Sequence, residues 1–316
     1  MKFKFALLLV LVLLCLESSS QSTITLRRSF IDSFKNVVTI TSLYDVWFTH
    51  HKANRPENDG DIHASGYDKI IGMPTVAEVM NAKDQQETID LFIAHEGKGK
   101  SNNIKLPIKG VWRLWPEHMG SGSKFFQGMK LSQATIKKKT TNPNHVFEIH
   151  PITSVGDLDV TASIHNINGY TPKIAQNAFK QIKAKKCAIT STKKTISFQT
   201  SAIGQNYIDM WIRIDSLWEV EDGAFAYCLV LDSDFNPETD ELEDKKVSNK
   251  LRIVFIKNSE SFNTIMQKNI GEFMHILGTP RINLAILSWR EWVSRQRPEV
   301  LSWPLPFEII AAGQIE

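Results

Sequence analysis

The sequence carries almost no net charge: 37 Lys and Arg against 34 Asp and Glu leave +3 on 316 residues. A near-neutral chain has no basic field of the kind that coats DNA, so nucleic acid would have to be met by a local patch. Familiar catalytic signatures are missing too. No serine sits in GxSxG, no Walker glycine loop is present and no GxGxxG follows a strand, which removes the hydrolases, P-loop enzymes and dinucleotide enzymes built on those motifs. HExxH and the EF-hand loop are absent as well, so any metal would need ligands without a fixed helical or loop spacing. Cysteine is scarce, at three residues, and none has the near neighbours of a zinc motif or a CxxC redox pair. Beyond residue 16 no apolar run is long enough to anchor the chain in a membrane.

The composition that remains, 42% hydrophobic and 22% charged, is that of a globular protein with room for two domains, which excludes disorder, collagen and coiled coil as the main architecture. Residues 1–20 stand apart. Lys2 and Lys4 precede an unbroken apolar run from Phe5 to Leu16, followed by Glu17 and three serines, the layout of a secretory signal. Ser18 and Ser20 suit a signal peptidase, so the expected mature chain starts at Gln21 and is exported, periplasmic or secreted. A lipoprotein reading through Cys15 is disfavoured by Leu14, which stands where a small residue is wanted. Losing two lysines and one glutamate takes the charge from +3 to +2. It also leaves Cys187 and Cys228, for which an oxidising compartment permits a disulfide; two reduced, buried thiols are the equal alternative.

Strand character runs through residues 36–49, 61–66 and 75–80, breaks into a helical pattern at 85–96, and resumes at 106–115 and 145–155. Three strands, a helix and two strands are the layout of the OB fold, a five-stranded barrel that binds oligonucleotides and oligosaccharides. A second half begins with Thr171-Pro172 opening a helix whose opposite face is lysine-rich. Strands are expected at 195–200, 207–214, 224–231 and 251–256, then a helix at 260–268 and strands at 272–277 and 281–289. The expected fold is therefore mainly β with minor α, two OB-like barrels in tandem: a signal at 1–20, a barrel at 21–158, a second β-rich domain at 159–291 and a segment at 292–316 that packs back as an added strand.

Asp59-Gly60-Asp61-Ile62-His63, Val76-Ala77-Glu78, the run from Gly110 to His118 and Phe147-Glu148-Ile149-His150-Pro151 together resemble uncharacterised bacterial exported proteins with a DGDxH strand, an acidic third strand and a terminal ExHP strand. The resemblance covers about residues 40–155. It implies an exported small barrel and brings no activity with it.

Strand alternation puts Asp61 and His63 on one face, and Glu148 and His150 on one face of the last strand with His145 on the other. The third strand of an OB barrel adjoins the fifth, so Glu78 is expected near Glu148 or His150. Three carboxylates and two imidazoles are material for a divalent metal, with Asp61, His63, Glu148 and His150 as its ligands; a network of polar groups that satisfy one another is the competing reading. Paired acids for glycoside hydrolysis are a further option. His50, His51, Glu117 and His118 end strands one and four and are expected to share a rim. Of Trp112 and Trp115, one should be core and the other a stacking platform. Lys137, Lys138, Lys139, Lys183, Lys185 and Lys186 are the basic clusters that would touch phosphates if they converge. The leading expectation is an exported barrel protein that binds an extended polymer, oligosaccharide or nucleic acid, or a protein partner. Its net charge does not favour nucleic acid, and it needs no cofactor or at most a divalent metal. The rivals are a metal-dependent, phosphodiesterase-like hydrolase built on the Asp, Glu and His strands, and a structural envelope protein.

Overall fold

The computed structural model describes residues 21–129 and 140–315. The expected signal at 1–20 and the triplet Lys137, Lys138 and Lys139 lie outside the described residues. Two closed five-stranded barrels dominate. The N-terminal barrel uses Thr39–Thr49, Ile62–Tyr67, Pro74–Val79, Leu106–Leu114 and Phe147–Val155 as strands one to five, and the helix Gln86–His95 lies between strands three and four. Strand one pairs with two and four, three pairs with two, and five pairs with four antiparallel and with three in parallel, which closes the barrel. Closure leaves no sheet edge for another chain to extend. Gly66 makes the crossing of strands one and two possible, because a Cβ there would lie 2.2 Å from the carbonyl oxygen of Asp45.

The second barrel repeats this order with Ile208–Val220, Gly223–Leu231, Lys246–Ile256, Phe273–Ile282 and Phe307–Gln314, and with the helix Glu260–Ile265 between strands three and four. Here the structure corrects the expected boundaries. The fifth strand is Phe307–Gln314, within the segment expected to be an added strand, whereas most of residues 281–289 belongs to the helix Leu284–Gln296. Asn283 decides this locally: its side chain accepts from the Ile286 N–H at 2.9 Å, capping a helix that buries Leu284, Leu287 and Glu291 at helical spacing. Residues 195–200 form a strand, but not of the second barrel. Thr195–Thr200 joins a separate five-stranded sheet with Ser22–Arg27, Lys124–Phe126, Lys186–Ser191 and Trp303–Pro304.

The two barrels are fastened by buried ions. Arg281 and Arg252 both bond Glu308, Arg281 Nε at 2.7 Å, and all three are essentially inaccessible to solvent. Arg281 also reaches across to the N-terminal barrel, donating to the carbonyl oxygens of Trp112 at 3.1 Å and Val38 at 3.3 Å with its guanidinium 3.7 Å above the Trp112 ring. Arg252 donates to Asn36 and to the Lys35 carbonyl, and Asp222 accepts from the Val38 and Thr39 N–H groups. Trp112 and Trp115 are both buried, so the expected exposed stacking platform does not exist; on Trp112 the Arg281 guanidinium of the second barrel covers the ring. Cys187 and Cys228 are both buried free thiols, which settles the disulfide alternative negatively. Cys187 lies on the separate sheet, where its thiol meets the Pro304 carbonyl, and Cys228 lies on strand two of the second barrel.

Candidate functional site

A cleft of 280 Å³ opens on the N-terminal barrel. It is lined by Asn58 and Asp59 from the loop after strand one, His63 on strand two, Glu78 on strand three, Arg113 on strand four, Glu117, His118 and Asn142 from the loop between strands four and five, and Glu148 on strand five. Tyr170 and Asn206, from the second half of the chain, complete the wall. A larger cleft, of 360 Å³, runs past Asp222 and Lys257, but the Asp222 carboxylate is already spent on Val38 and Thr39.

Strand register assembles the site. His63 stands directly opposite Glu78, and Arg113 directly opposite Glu148. Glu78 bonds the Nδ1 of His150 and lies 3.6 Å from the Nε2 of His63. The other His150 nitrogen is 3.0 Å from the Tyr207 hydroxyl, which donates to Asp61 Oδ2 at 3.2 Å. This chain of bonds therefore runs from Glu78 to Asp61 through a tyrosine at the entrance to the second barrel. A second network centres on Glu148. One oxygen bonds Arg113 and the other meets His145 Nε2 at 3.2 Å, while His145 Nδ1 donates to the Pro143 carbonyl at 2.7 Å. Arg113 also donates to Glu117 at 3.0 Å, to the Gln205 carbonyl at 3.1 Å and to the Pro280 carbonyl at 3.0 Å.

The electrostatics follow from burial and partners. Burial works to raise the Glu148 carboxyl, yet the Arg113 guanidinium outweighs it, with help from His145, and holds the group down at about 2. Glu78 is likewise held well below the usual range, burial being outweighed by His63 and His150. Asp61 moves the other way: burial, then the charges of Asp59 and Glu78, push it well above a normal carboxyl. Burial and the neighbouring His145 lower His118, whereas the hydrogen bond to Glu148 raises His145 against its burial.

Among the described residues, three sets of side chains bring ligand atoms within 4.8 Å of one another: Asp59, Asp61 and His63; Asp61, Glu78 and His150; and His118, His145 and Glu148. The four expected ligands Asp61, His63, Glu148 and His150 are thus shared among three sets rather than gathered in one. His145, placed by alternation on the opposite face from Glu148, instead bonds it, because it precedes the strand, where period-two alternation does not hold. The expected rim is divided. Glu117 and His118 line the cleft and His118 stacks on His145 at 4.9 Å; His50 stacks on His63 at 5.0 Å; and His51, well exposed, pairs with Glu96 at 3.4 Å. Lys183 and Lys185 bond the Val247 carbonyl and Ser201, and Lys186 sits on the separate sheet, so none of them reaches the cleft.

Sequence reasoning missed Asp59, Arg113, Tyr170, Asn206 and Tyr207. For Arg113 a signal existed: an arginine between Trp112 and Leu114 in an apolar strand must be buried, and a buried guanidinium requires a carboxylate. Tyr207 gave no such signal, since its partners lie on the other barrel.

No protein-family model and no curated protein matches the chain. Among solved structures, one described as a murine DNA-binding protein bound with double-stranded DNA aligns over 87% of this chain and 99% of that one, with 11% identity and a TM-score of 0.18. A score that low carries no argument about fold or ligand.

Proposed function

We propose that the chain is an exported protein that binds an extended, uncharged polymer, an oligosaccharide, in the cleft of its N-terminal barrel. The place supports this reading: OB barrels take oligonucleotides and oligosaccharides at strands two and three and at the loops after strands one and four, the elements that line this cleft. The lining chemistry carries it. Asp59, Glu78, Glu117 and Glu148 face a single guanidinium, that of Arg113. Of the five N–H groups an arginine owns, Arg113 spends four on Glu148, Glu117 and two carbonyls, so only one is left for a ligand. A phosphate chain would meet carboxylates and no fork to hold it, whereas sugar hydroxyls can donate to carboxylates and accept from that last N–H, from Asn142 and from Asn206. The cleft has room for about one or two sugar rings, with the rest of the polymer crossing the barrel surface.

Calorimetric titration of the mature chain with neutral hexasaccharides tests the reading. Binding should change less than about twofold between 50 and 200 mM salt, because no condensed counterions are released. Asn142→Ala and Glu117→Gln should each weaken it about tenfold. Tight binding of single-stranded DNA with a steep salt slope, and none of sugars, would overturn it. Export is tested separately by intact mass, which should correspond to a chain beginning at Gln21.

A second reading, a metal-dependent hydrolase, is favoured by one observation, the three donor sets ringing the cleft. It predicts shortened products when the polymer is incubated with the protein and divalent metal.

A further inference from the structure

Of the three donor sets around the cleft, two have their histidine donors His150 and His145 already engaged on both ring nitrogens. In the set of Asp61, Glu78 and His150, both imidazole nitrogens are taken, one by Glu78 and one by Tyr207. In the set of His118, His145 and Glu148, the His145 nitrogens face Pro143 and Glu148, and Glu148 is neutralised by Arg113. A cation there would have to compete with a guanidinium already in place.

The third set differs. Asp59 and Asp61 take part in no ion pair among the described residues, although Asp61 is fully buried. Asp61 Oδ2 accepts from Tyr207, which leaves Oδ1 buried with no partner, and Nδ1 of His63 is buried without one as well. An unpartnered carboxylate oxygen in the interior is costly, and buried charges in proteins are paired or coordinate metals. The backbone is committed to the arrangement: Asp59 and Gly60 are both in the left-handed region, at φ 101° and 69°, a turn that brings the two aspartates on either side of Gly60 within ligand distance of each other.

We propose that Asp59, Asp61 and His63 form a binding site for one divalent first-row cation of the Mn²⁺ and Zn²⁺ class, reached through the cleft that Asp59 and His63 line. Two carboxylate oxygens and one imidazole nitrogen are a mixed hard and borderline set, which suits these ions better than an all-oxygen cage for Ca²⁺ or a thiolate site for soft metals. Tyr207 acts at one remove, holding Asp61 through Oδ2 so that Oδ1 stays free for the ion, as outer hydrogen bonds do for ligands generally. The second barrel thereby supplies part of a site whose three ligands belong to the first. The site goes beyond the polymer reading and does not depend on it, since the ion binds whether or not a polymer is present.

The probe is the metal alone. The mature chain, freed of metal with a chelator, is titrated with MnCl₂ while the electron paramagnetic resonance signal of free Mn²⁺ is followed, and with ZnCl₂ in a calorimeter. The expected result is one equivalent of bound ion. Asp61→Asn should lose binding, Asp59→Asn should weaken it at least about tenfold, and Tyr207→Phe should weaken it by about 10- to 100-fold. Asp59→Asn changes a partly exposed loop residue, so it reports on the site even if a buried variant fails to fold. Glu219→Gln, on the second barrel and outside the cleft lining, should leave the affinity unchanged. Absence of binding at millimolar metal would overturn the proposal, as would binding that survives Asp59→Asn and disappears in Glu148→Gln, which would assign the ion to the histidine pair. Sugar binding measured in chelator reports on the polymer reading by itself.

Discussion

Replacing Glu308 with glutamine would leave two buried guanidiniums facing a neutral amide. Glu308 is fully buried, as is Arg281, and Arg252 is only 4% exposed. Both arginines have given up their hydration for this one carboxylate; burial pulls the Arg281 guanidinium down to about 10, against the pull of Glu308. Removing one member of a buried ion pair costs about 3–5 kcal/mol, because the surviving charge remains desolvated without a counter-charge. Glutamine keeps the shape and one acceptor oxygen, so little of that cost is a packing loss. The same substitution at Glu219, whose bond to Lys257 is 3.8 Å long and half-exposed, should cost less than about 1 kcal/mol. Urea melts at pH 7 with tryptophan fluorescence give the comparison, and a fall in Tm of about 10 °C is the calorimetric counterpart. A Glu308→Gln protein within about 1 kcal/mol of the parent would refute the reasoning, since it would mean that the two arginines between the barrels are still hydrated.

Other expectations are as direct. Glu148 is held at about 2 against an ordinary value of 4.5, so it contributes stability that is fully present above about pH 4.5 and is lost as the pH falls toward 2, about 3 kcal/mol in all. Urea melts of metal-free protein between pH 6 and pH 3 should show this loss, and Glu148→Gln should flatten it; equal slopes in parent and variant would contradict the assignment. Burial pushes the Cys187 thiol up to about 11 and the Cys228 thiol higher still, so neither should react with iodoacetamide at pH 8 until the protein is denatured. Labelling of either in native protein within minutes, read by peptide mass, would show that burial does not protect it.

The N-terminal barrel was legible because its signals are local. Strands with β-branched and aromatic residues, a helical stretch between the third and fourth, and polar residues at alternate positions fix both the order of elements and the face on which Asp61, His63, Glu78, Glu148 and His150 lie. The second barrel was harder. Leu284–Gln296 contains Ile286, Leu287, Trp289, Trp292 and Val293, a run that suits a strand as well as a helix, and only the capping Asn283 distinguishes them. What no local pattern could supply is contact between distant segments. Tyr207 lies 146 residues from Asp61, and Arg113 lies 167 from Pro280, so their roles depend on how the barrels dock. The same docking hid the face of Trp112 that now meets Arg281.

The four bonds of Arg113 also bear on how a ligand is received. Its guanidinium ties the cleft wall at Glu148 and Glu117 to the Gln205 and Pro280 carbonyls outside the barrel, so the two halves of the protein cannot hinge about the cleft without breaking buried charge-assisted bonds. On the proposed oligosaccharide reading, binding should involve no domain closure and little loss of conformational entropy in the protein. Association should be a single bimolecular step whose observed rate rises linearly with ligand concentration, without the plateau that a slow rearrangement imposes. Differences in affinity among ligands should accordingly be expressed in how long each one stays.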